Sequence, residues 1–202
     1  FSHSEACIYA QLVDLLDECK IPDILNYNDL YTTVRQNLDQ THLEGLLKAE
    51  IMSKPQNFIT HDPDLPQTLL DLFYSGKKLL LITNSDWNYT KTMMSFILDG
   101  FLPNKMKWRD LFDVIIESAS KHDFFTNKMP YFEVVNNDGL LRPSYDELKS
   151  QSVYHSGYAQ LIEKYLGVSG EEILYVGDHI FTYVNVSKSI MKWRTALILR
   201  EL

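Results

Sequence analysis

Apolar residues follow two rhythms along the chain, and the change comes near residue 60. In the first stretch Ala6, Tyr9, Leu12, Val13 and Leu16 recur at helical spacing, and a second periodic segment runs through Leu30, Val34 and Leu38 to Leu47. Residues three and four apart share one helix face, so both stretches read as amphipathic helices. Pro55 and then His61-Asp62-Pro63-Asp64-Leu65-Pro66 interrupt this region, and the cluster predicts the start of a further helix that Gly76 ends.

From Lys77 onward short apolar runs alternate with helical patterns: 79–82, 114–116, 173–176 and 196–199. Continuous runs suit strands buried on both faces, which predicts a mainly parallel sheet flanked by helices, an α/β fold. Helices are predicted over 90–98 and 159–166, the latter capped by Gly167, and a hairpin over 132–141 around Asp138-Gly139. The predicted organisation is a helical segment over 1–60 and an α/β core over 61–202.

Composition narrows the classes. A 202-residue chain with 45% hydrophobic and 12% aromatic residues can bury a substantial core, as one domain or two small ones. A net charge of −8 argues against broad binding to nucleic acid or an anionic membrane, since either surface repels the molecule as a whole. The longest apolar runs, such as Leu79-Leu80-Leu81-Ile82, are far too short to cross a bilayer. Cys7 and Cys19 are the only cysteines, and on one helix they stand about 18 Å apart, too far to pair. Two reduced thiols suit an intracellular protein, with the cytoplasm as the expected compartment. The opening Phe1-Ser2-His3-Ser4-Glu5 has neither an initiator methionine nor a cationic targeting segment, which reads as an internal cut or the edge of a region.

The chemistry sits at the ends of the apolar runs. Leu79-Leu80-Leu81-Ile82-Thr83-Asn84-Ser85-Asp86 is a buried-strand pattern closing on small polar residues, at the carboxyl end where open α/β sheets bind ligands. Ile173-Leu174-Tyr175-Val176-Gly177-Asp178-His179 repeats the arrangement, with Asp178 as a hard oxygen ligand suited to Mg²⁺. Between them Ser118-Ala119-Ser120-Lys121-His122-Asp123-Phe124-Phe125 follows another strand and delivers a lysine able to neutralise a phosphate. Taken one at a time, these are equally a polar turn, a cap aspartate and a solvated surface lysine.

In this order, Ile82-Thr83-Asn84-Ser85-Asp86, Ser120-Lys121-His122-Asp123-Phe124-Phe125, Tyr175-Val176-Gly177-Asp178-His179-Ile180-Phe181 and Trp193-Arg194-Thr195 resemble the cytosolic 5′-nucleotidase branch of the haloacid dehalogenase superfamily, including its 5′-nucleotidase-domain-containing relatives. The resemblance covers nearly the whole chain. It implies a Rossmann-like parallel sheet behind a helical, cap-derived front, and Mg²⁺-dependent hydrolysis of nucleoside 5′-monophosphates through a phosphoaspartate. By resemblance Thr83 holds a phosphate oxygen, Asn84 lines the phosphate site, Lys121 balances aspartate and phosphate charge, and Asp178 binds Mg²⁺. Asp39, His42 and Lys48 match the spacing of purine-nucleotide readers and would meet the nucleoside monophosphate. Asp39 and His42 are also i,i+3 neighbours on a helix, where a surface pair is the simpler arrangement.

The pattern is incomplete. The family's first motif, an Asp-x-Asp-x-Thr-like sequence after an apolar strand, is expected ahead of the helical front, and these residues contain no counterpart. His61-Asp62-Pro63-Asp64 has the carboxylate spacing but lies among prolines with no apolar strand before it. The expectation is an α/β core short of its first strand and nucleophile, with a sheet edge that a protein partner or a preceding segment covers. Relatives usually place a second aspartate where this chain has Tyr183, and a neutral phenol cannot supply that charge. Ser120 and His122 stand where Arg and Pro are common, and His155 where small residues are usual. The alternative is a pseudoenzyme that keeps the fold as a protein-binding or assembly module.

Overall fold

The computed structural model describes residues 3–43, 45–178 and 185–199. The chain divides into two compact units, Phe1–Ile59 and Thr60–Leu202.

The first unit is helical: α1 (His3–Asp17), α2 (Tyr27–Leu43) and α3 (Leu46–Ser53). Leu30 and Val34, one turn apart on α2, are buried, and the rings of Tyr9 and Tyr31 meet edge to face at 5.8 Å where α1 packs on α2. The periodicity predicted one helix through to Leu47. Instead Gly45, at φ 71, breaks it, because a left-handed residue cannot continue a right-handed helix. Cys7 and Cys19 are both free and exposed. Cys19 lies past the end of α1, where it adopts φ 55 as the helix terminates.

The second unit runs α4 (Asp64–Tyr74), β1 (Leu80–Ile82), α5 (Trp87–Met94), β2 (Val114–Glu117), α6 (Lys121–Thr126), β3 (Tyr131–Val134), β4 (Leu141–Ser144), β5 (Ser152–His155), α7 (Ala159–Leu166), β6 (Leu174–Gly177), α8 (Asn185–Met191) and β7 (Arg194–Leu197). Five strands form one sheet in the order β1-β2-β5-β3-β4, with β1, β2 and β5 parallel and β3 antiparallel to both β4 and β5. A second sheet holds β6 and β7, also parallel. This is the parallel-rich α/β fold flanked by helices that the sequence predicts. The hairpin forms across Val134 and Leu141, and α7 spans the predicted residues.

Three particulars differ from the sequence pattern. β7 begins two residues before the apolar run expected to form it and overlaps its first half. β5, which lies between β2 and β3, is a strand the pattern did not announce: four residues with a polar residue at each end. And strands buried on both faces were expected for every apolar run, yet only β2 is buried throughout. β1 is half-buried, while Leu174 and Val176 of β6 are 58% and 56% exposed, because each strand borders an open sheet edge.

The two sheets are tied by side chains rather than by a ladder. Phe125 on α6 meets Tyr175 of β6 at 5.4 Å and Trp193, just before β7, at 5.5 Å, both edge to face. Val114 and Ile116 of β2 belong to the same buried cluster. Trp193 Nε1 donates to Glu163 Oε1 of α7 at 2.8 Å. The turn Gly170–Glu172 passes so close that a Cβ on Gly170 would fall 2.0 Å from the Met191 carbonyl oxygen, a position only glycine can occupy. Trp193→Ala should therefore cost about 3–5 kcal/mol in chemical denaturation; a loss below about 1 kcal/mol would show that this aromatic junction does not carry the β6–β7 pair.

Candidate functional site

β1 and β2 are parallel neighbours, so the loops that leave their carboxyl ends emerge side by side. Backbone hydrogen bonds stitch these loops together. Thr83 N–H donates to the Ile116 carbonyl, Ala119 N–H to the Thr83 carbonyl, and Ser118 N–H to the Ser85 carbonyl, each at 2.9 Å. Asn84 Oδ1 accepts the Lys121 N–H at 2.8 Å, capping the first turn of α6 from a different loop. Thr83 Oγ1 accepts the Ser85 N–H at 3.1 Å, and Asp86 caps α5 by accepting the Tyr89 N–H at 2.9 Å. Thr83, Asn84 and Lys121 are thus brought to one rim, while Asp86 is engaged in local structure.

Lys121 is half-buried, and its Nζ stands 6.0 Å from the centre of the Tyr175 ring. Burial lowers its pKa below the ordinary lysine value, and the Asp178 carboxylate opposes that shift. Asp178 follows β6 and is exposed. The next two residues of α6's core side, Phe124 and Phe125, are fully buried, which fixes the helix that carries the lysine. Ser118 and Ser120 in the approach to α6 adopt φ 48 and 49, a left-handed conformation unfavourable for residues with a Cβ. The chain takes this course to turn twice between the end of β2 and the lysine.

One constellation escaped the sequence reading. Glu117, at the carboxyl end of β2, is 2% exposed; its Oε1 lies 2.7 Å from His155 Nδ1, and the Ser118 hydroxyl donates to its other oxygen. The pairing depends on the register Glu117↔His155 between β2 and β5. His155, an oddity in the sequence comparison with relatives, is the side chain that answers this buried carboxylate.

The other sequence-predicted residues lie in the helical unit. Asp39 on α2 forms an i,i+4 ion pair with Arg35 at 3.1 Å, and Arg35 also reaches Glu5 at 3.1 Å. Asp39 is therefore engaged on the helix surface by Arg35. His42 lies in α2, with its side chain outside the described residues, and Lys48 is half-buried on α3. Tyr183, with His179-Ile180-Phe181, also falls outside the described residues. Asp62 and Asp64 stand at the start of α4, where Asp62 Oδ1 accepts the Asp64 N–H at 2.9 Å; among the described residues no strand precedes them.

Among the described residues no group of three or more His, Cys, Asp or Glu side chains is arranged to hold a metal ion. Asp178 alone offers one hard oxygen of the roughly six that Mg²⁺ demands. No described helix is long and apolar enough to cross a membrane.

Two variants check this geometry. Ser120→Gly should raise stability by about 1 kcal/mol by relieving the left-handed residue, read as a higher urea midpoint; a lower midpoint would mean that the serine side chain is needed there. His155→Ala strips Glu117 of its imidazole partner and should cost about 1–3 kcal/mol, whereas an unchanged midpoint would show that the contact carries no stability.

The matches to known proteins agree with this arrangement. The family model described as the 5′ nucleotidase family matches residues 1–202. A 5′-nucleotidase domain-containing protein of Dictyostelium discoideum is 28% identical over 206 residues, covering 100% of this chain and 34% of its own length. The chain thus spans about a third of the length of that curated relative. With a family match from end to end and a parallel-rich α/β core of the haloacid dehalogenase type, the chain belongs to the 5′-nucleotidase family.

Proposed function

We propose that the chain anchors the phosphate of a nucleoside 5′-monophosphate, a purine nucleotide foremost, at the rim where the loops after β1 and β2 meet, as part of a Mg²⁺-dependent phosphohydrolase. The observation that carries this reading is the hydrogen bond from the Lys121 N–H to Asn84 Oδ1 at 2.8 Å, which holds a cation-bearing helix against the loop that presents Thr83. A phosphate leaving water needs donors and positive charge in its place. Lys121 offers an ammonium group already partly stripped of water, and Thr83 offers its hydroxyl proton, its oxygen being engaged as acceptor from Ser85 N–H. Asn84 lines the same rim. Asp178 supplies one ligand oxygen to Mg²⁺ in this reading, with the other ligands outside the described residues. Hydrolysis by an aspartyl-phosphate route also requires a nucleophilic carboxylate. No Asp-x-Asp-x-Thr-like sequence follows an apolar strand in these residues, so in this reading they bind the phosphate and turnover belongs to a carboxylate from outside them.

The test is calorimetric titration of the 202-residue chain with inorganic phosphate and with nucleoside 5′-monophosphates. Lys121→Met should weaken binding at least tenfold, roughly 1.4 kcal/mol, while leaving thermal stability unchanged or slightly raised, since a half-buried charge is removed. Equal affinity of the wild type and the variant would refute the assignment, as would a wild type that binds no phosphate. The same chain should release no phosphate from these nucleotides with Mg²⁺ present.

A second reading, a fold retained as a binding or assembly module, is favoured by Tyr183 in place of a carboxylate. It predicts that Asp178→Asn leaves every measured activity of the protein intact, and a loss on that substitution with the fold preserved would end it.

A further inference from the structure

Beside the turn between β3 and β4 lies a cavity of about 350 Å³, at the small end of the range that ligand pockets occupy. Its lining comes from four places in the chain. Trp87 opens α5, Arg109 stands in the short 3₁₀ turn Trp108–Leu111, Asn136 and Asn137 belong to the hairpin turn, and Val134 and Val153 come from β3 and β5. None of the residues that carry the phosphate reading lines it.

The hairpin turn is held firmly. Asn136 Oδ1 accepts the Asp138 N–H at 3.1 Å and the Leu140 N–H at 2.9 Å. The Asn137 carbonyl accepts both the Trp87 indole N–H at 3.2 Å and Lys91 Nζ at 2.7 Å, and Lys91 lies one helical turn beyond Trp87 on α5. These bonds use up the acceptors of the turn and leave donors. The Asn136 amide keeps its two N–H groups, because both bonds fall on its oxygen.

The charges around the cavity are unbalanced. The chain carries 27 acidic and 19 basic residues, and most cations of this unit find an acid: Lys78 pairs with Asp113, Lys107 with Asp99, Arg142 with Glu133 and Lys164 with Glu147. Arg109 and Lys91 do not. The half-buried Arg109 guanidinium lies over the Trp87 ring at 5.3 Å, and among the described residues it makes no ion pair and no side-chain hydrogen bond. The acids nearest in sequence serve the backbone instead, since Asp110 accepts the Lys107 N–H at 2.8 Å and Asp99 the Trp108 N–H at 2.9 Å. No carboxylate lines the cavity among the described residues. Covering an indole needs only an aliphatic stem, so packing alone does not call for a guanidinium here. Five N–H donors held beside a cavity without an acceptor call for an anion.

We propose that this cavity binds a small organic monocarboxylate, with its carboxylate on the Arg109 guanidinium and the Asn136 amide and its apolar body against Val134, Val153 and Trp87. The planar fork of the guanidinium matches a carboxylate bidentately, and one half-buried cation balances one negative charge. A phosphate dianion would bring a second charge that only Lys91, already bonded to a carbonyl, stands near. The valines and the indole ask for an apolar group behind the carboxylate, which a bare anion lacks. The inference does not depend on the phosphate reading, whose residues lie elsewhere.

The probe is sodium benzoate, titrated into the full chain and followed through the indole and arginine side-chain N–H signals by NMR. Benzamide is the uncharged isostere and inorganic phosphate the bare anion. Trp87→Phe identifies the Trp87 signal among the three indoles. The expected result is a saturable shift at Trp87 and Arg109 with a dissociation constant on the order of millimolar, ordinary for so small a ligand, while the Trp193 indole stays in place. Benzamide and phosphate should each bind this cavity roughly tenfold or more weakly, and Arg109→Gln should weaken benzoate to a similar degree, with an unmoved Trp193 signal showing that the variant keeps its core. Equal binding of benzamide would overturn the proposal by showing an apolar cleft that ignores charge. Phosphate bound as tightly as benzoate would overturn it in favour of a simple anion hole, and no saturable shift at Trp87 up to the solubility limit would end it outright. Both comparisons among ligands use the unaltered chain, so they decide the matter even if Arg109→Gln does not fold. A chain that takes benzoate at Trp87 and no phosphate at Lys121 would refute the phosphate reading and leave this one standing.

Discussion

The second unit depends on how α6 is held. Phe125, fully buried, sits edge-on to Tyr175 and to Trp193, and through these contacts a six-residue helix joins the β6–β7 pair to the five-stranded sheet. Aromatic contacts of this kind add about 0.5–1.5 kcal/mol each beyond the area they bury, and here they replace the hydrogen-bond ladder that would normally bind neighbouring strands. The same helix begins with Lys121. The hydrophobic anchor and the cation are four residues apart, so the packing that secures the core also sets the position of the charge.

That charge is held at a cost. Burial disfavours the ammonium, and two left-handed serines lead into the helix that carries it. Neither feature helps the fold. Both are understandable if the protein must keep a poorly hydrated cation at the rim where three strand ends meet, with Asn84 locking the helix and Asp178 close by. Glu117 and His155 pin β2 to β5 with a polar contact, which fixes the register of the strand that launches the lysine.

Sequence reading found the parts whose signal is local. β2 and β6 are continuous apolar runs, α7 ends on a glycine in the left-handed region, and Asp138-Gly139 marks the hairpin. Thr83, Lys121 and Asp178 stood out as candidates because each comes after such a run. What it missed depends on tertiary pairing. β5 has only Val153 and Tyr154 as apolar residues and becomes a strand because β2 and β3 flank it. The partnership of Glu117 with His155 spans 38 positions and exists only in that register. Gly45 sits inside an unbroken apolar rhythm, and only its positive φ separates α2 from α3. The exposed Leu174 and Val176 follow the same logic in reverse: their pattern asks for neighbours on every side, and the described residues provide them on one.

The central claim is that Thr83, Asn84, Lys121 and Asp178 form one anion site rather than four separate surface groups. The most direct measurement is a set of amide and lysine-ammonium NMR spectra of the chain as inorganic phosphate is added. The account predicts saturable shifts concentrated at Thr83, Asn84, Lys121 and Asp178, with a single dissociation constant fitting all four. Shifts scattered over the surface lysines, or different apparent constants at these residues, would contradict it.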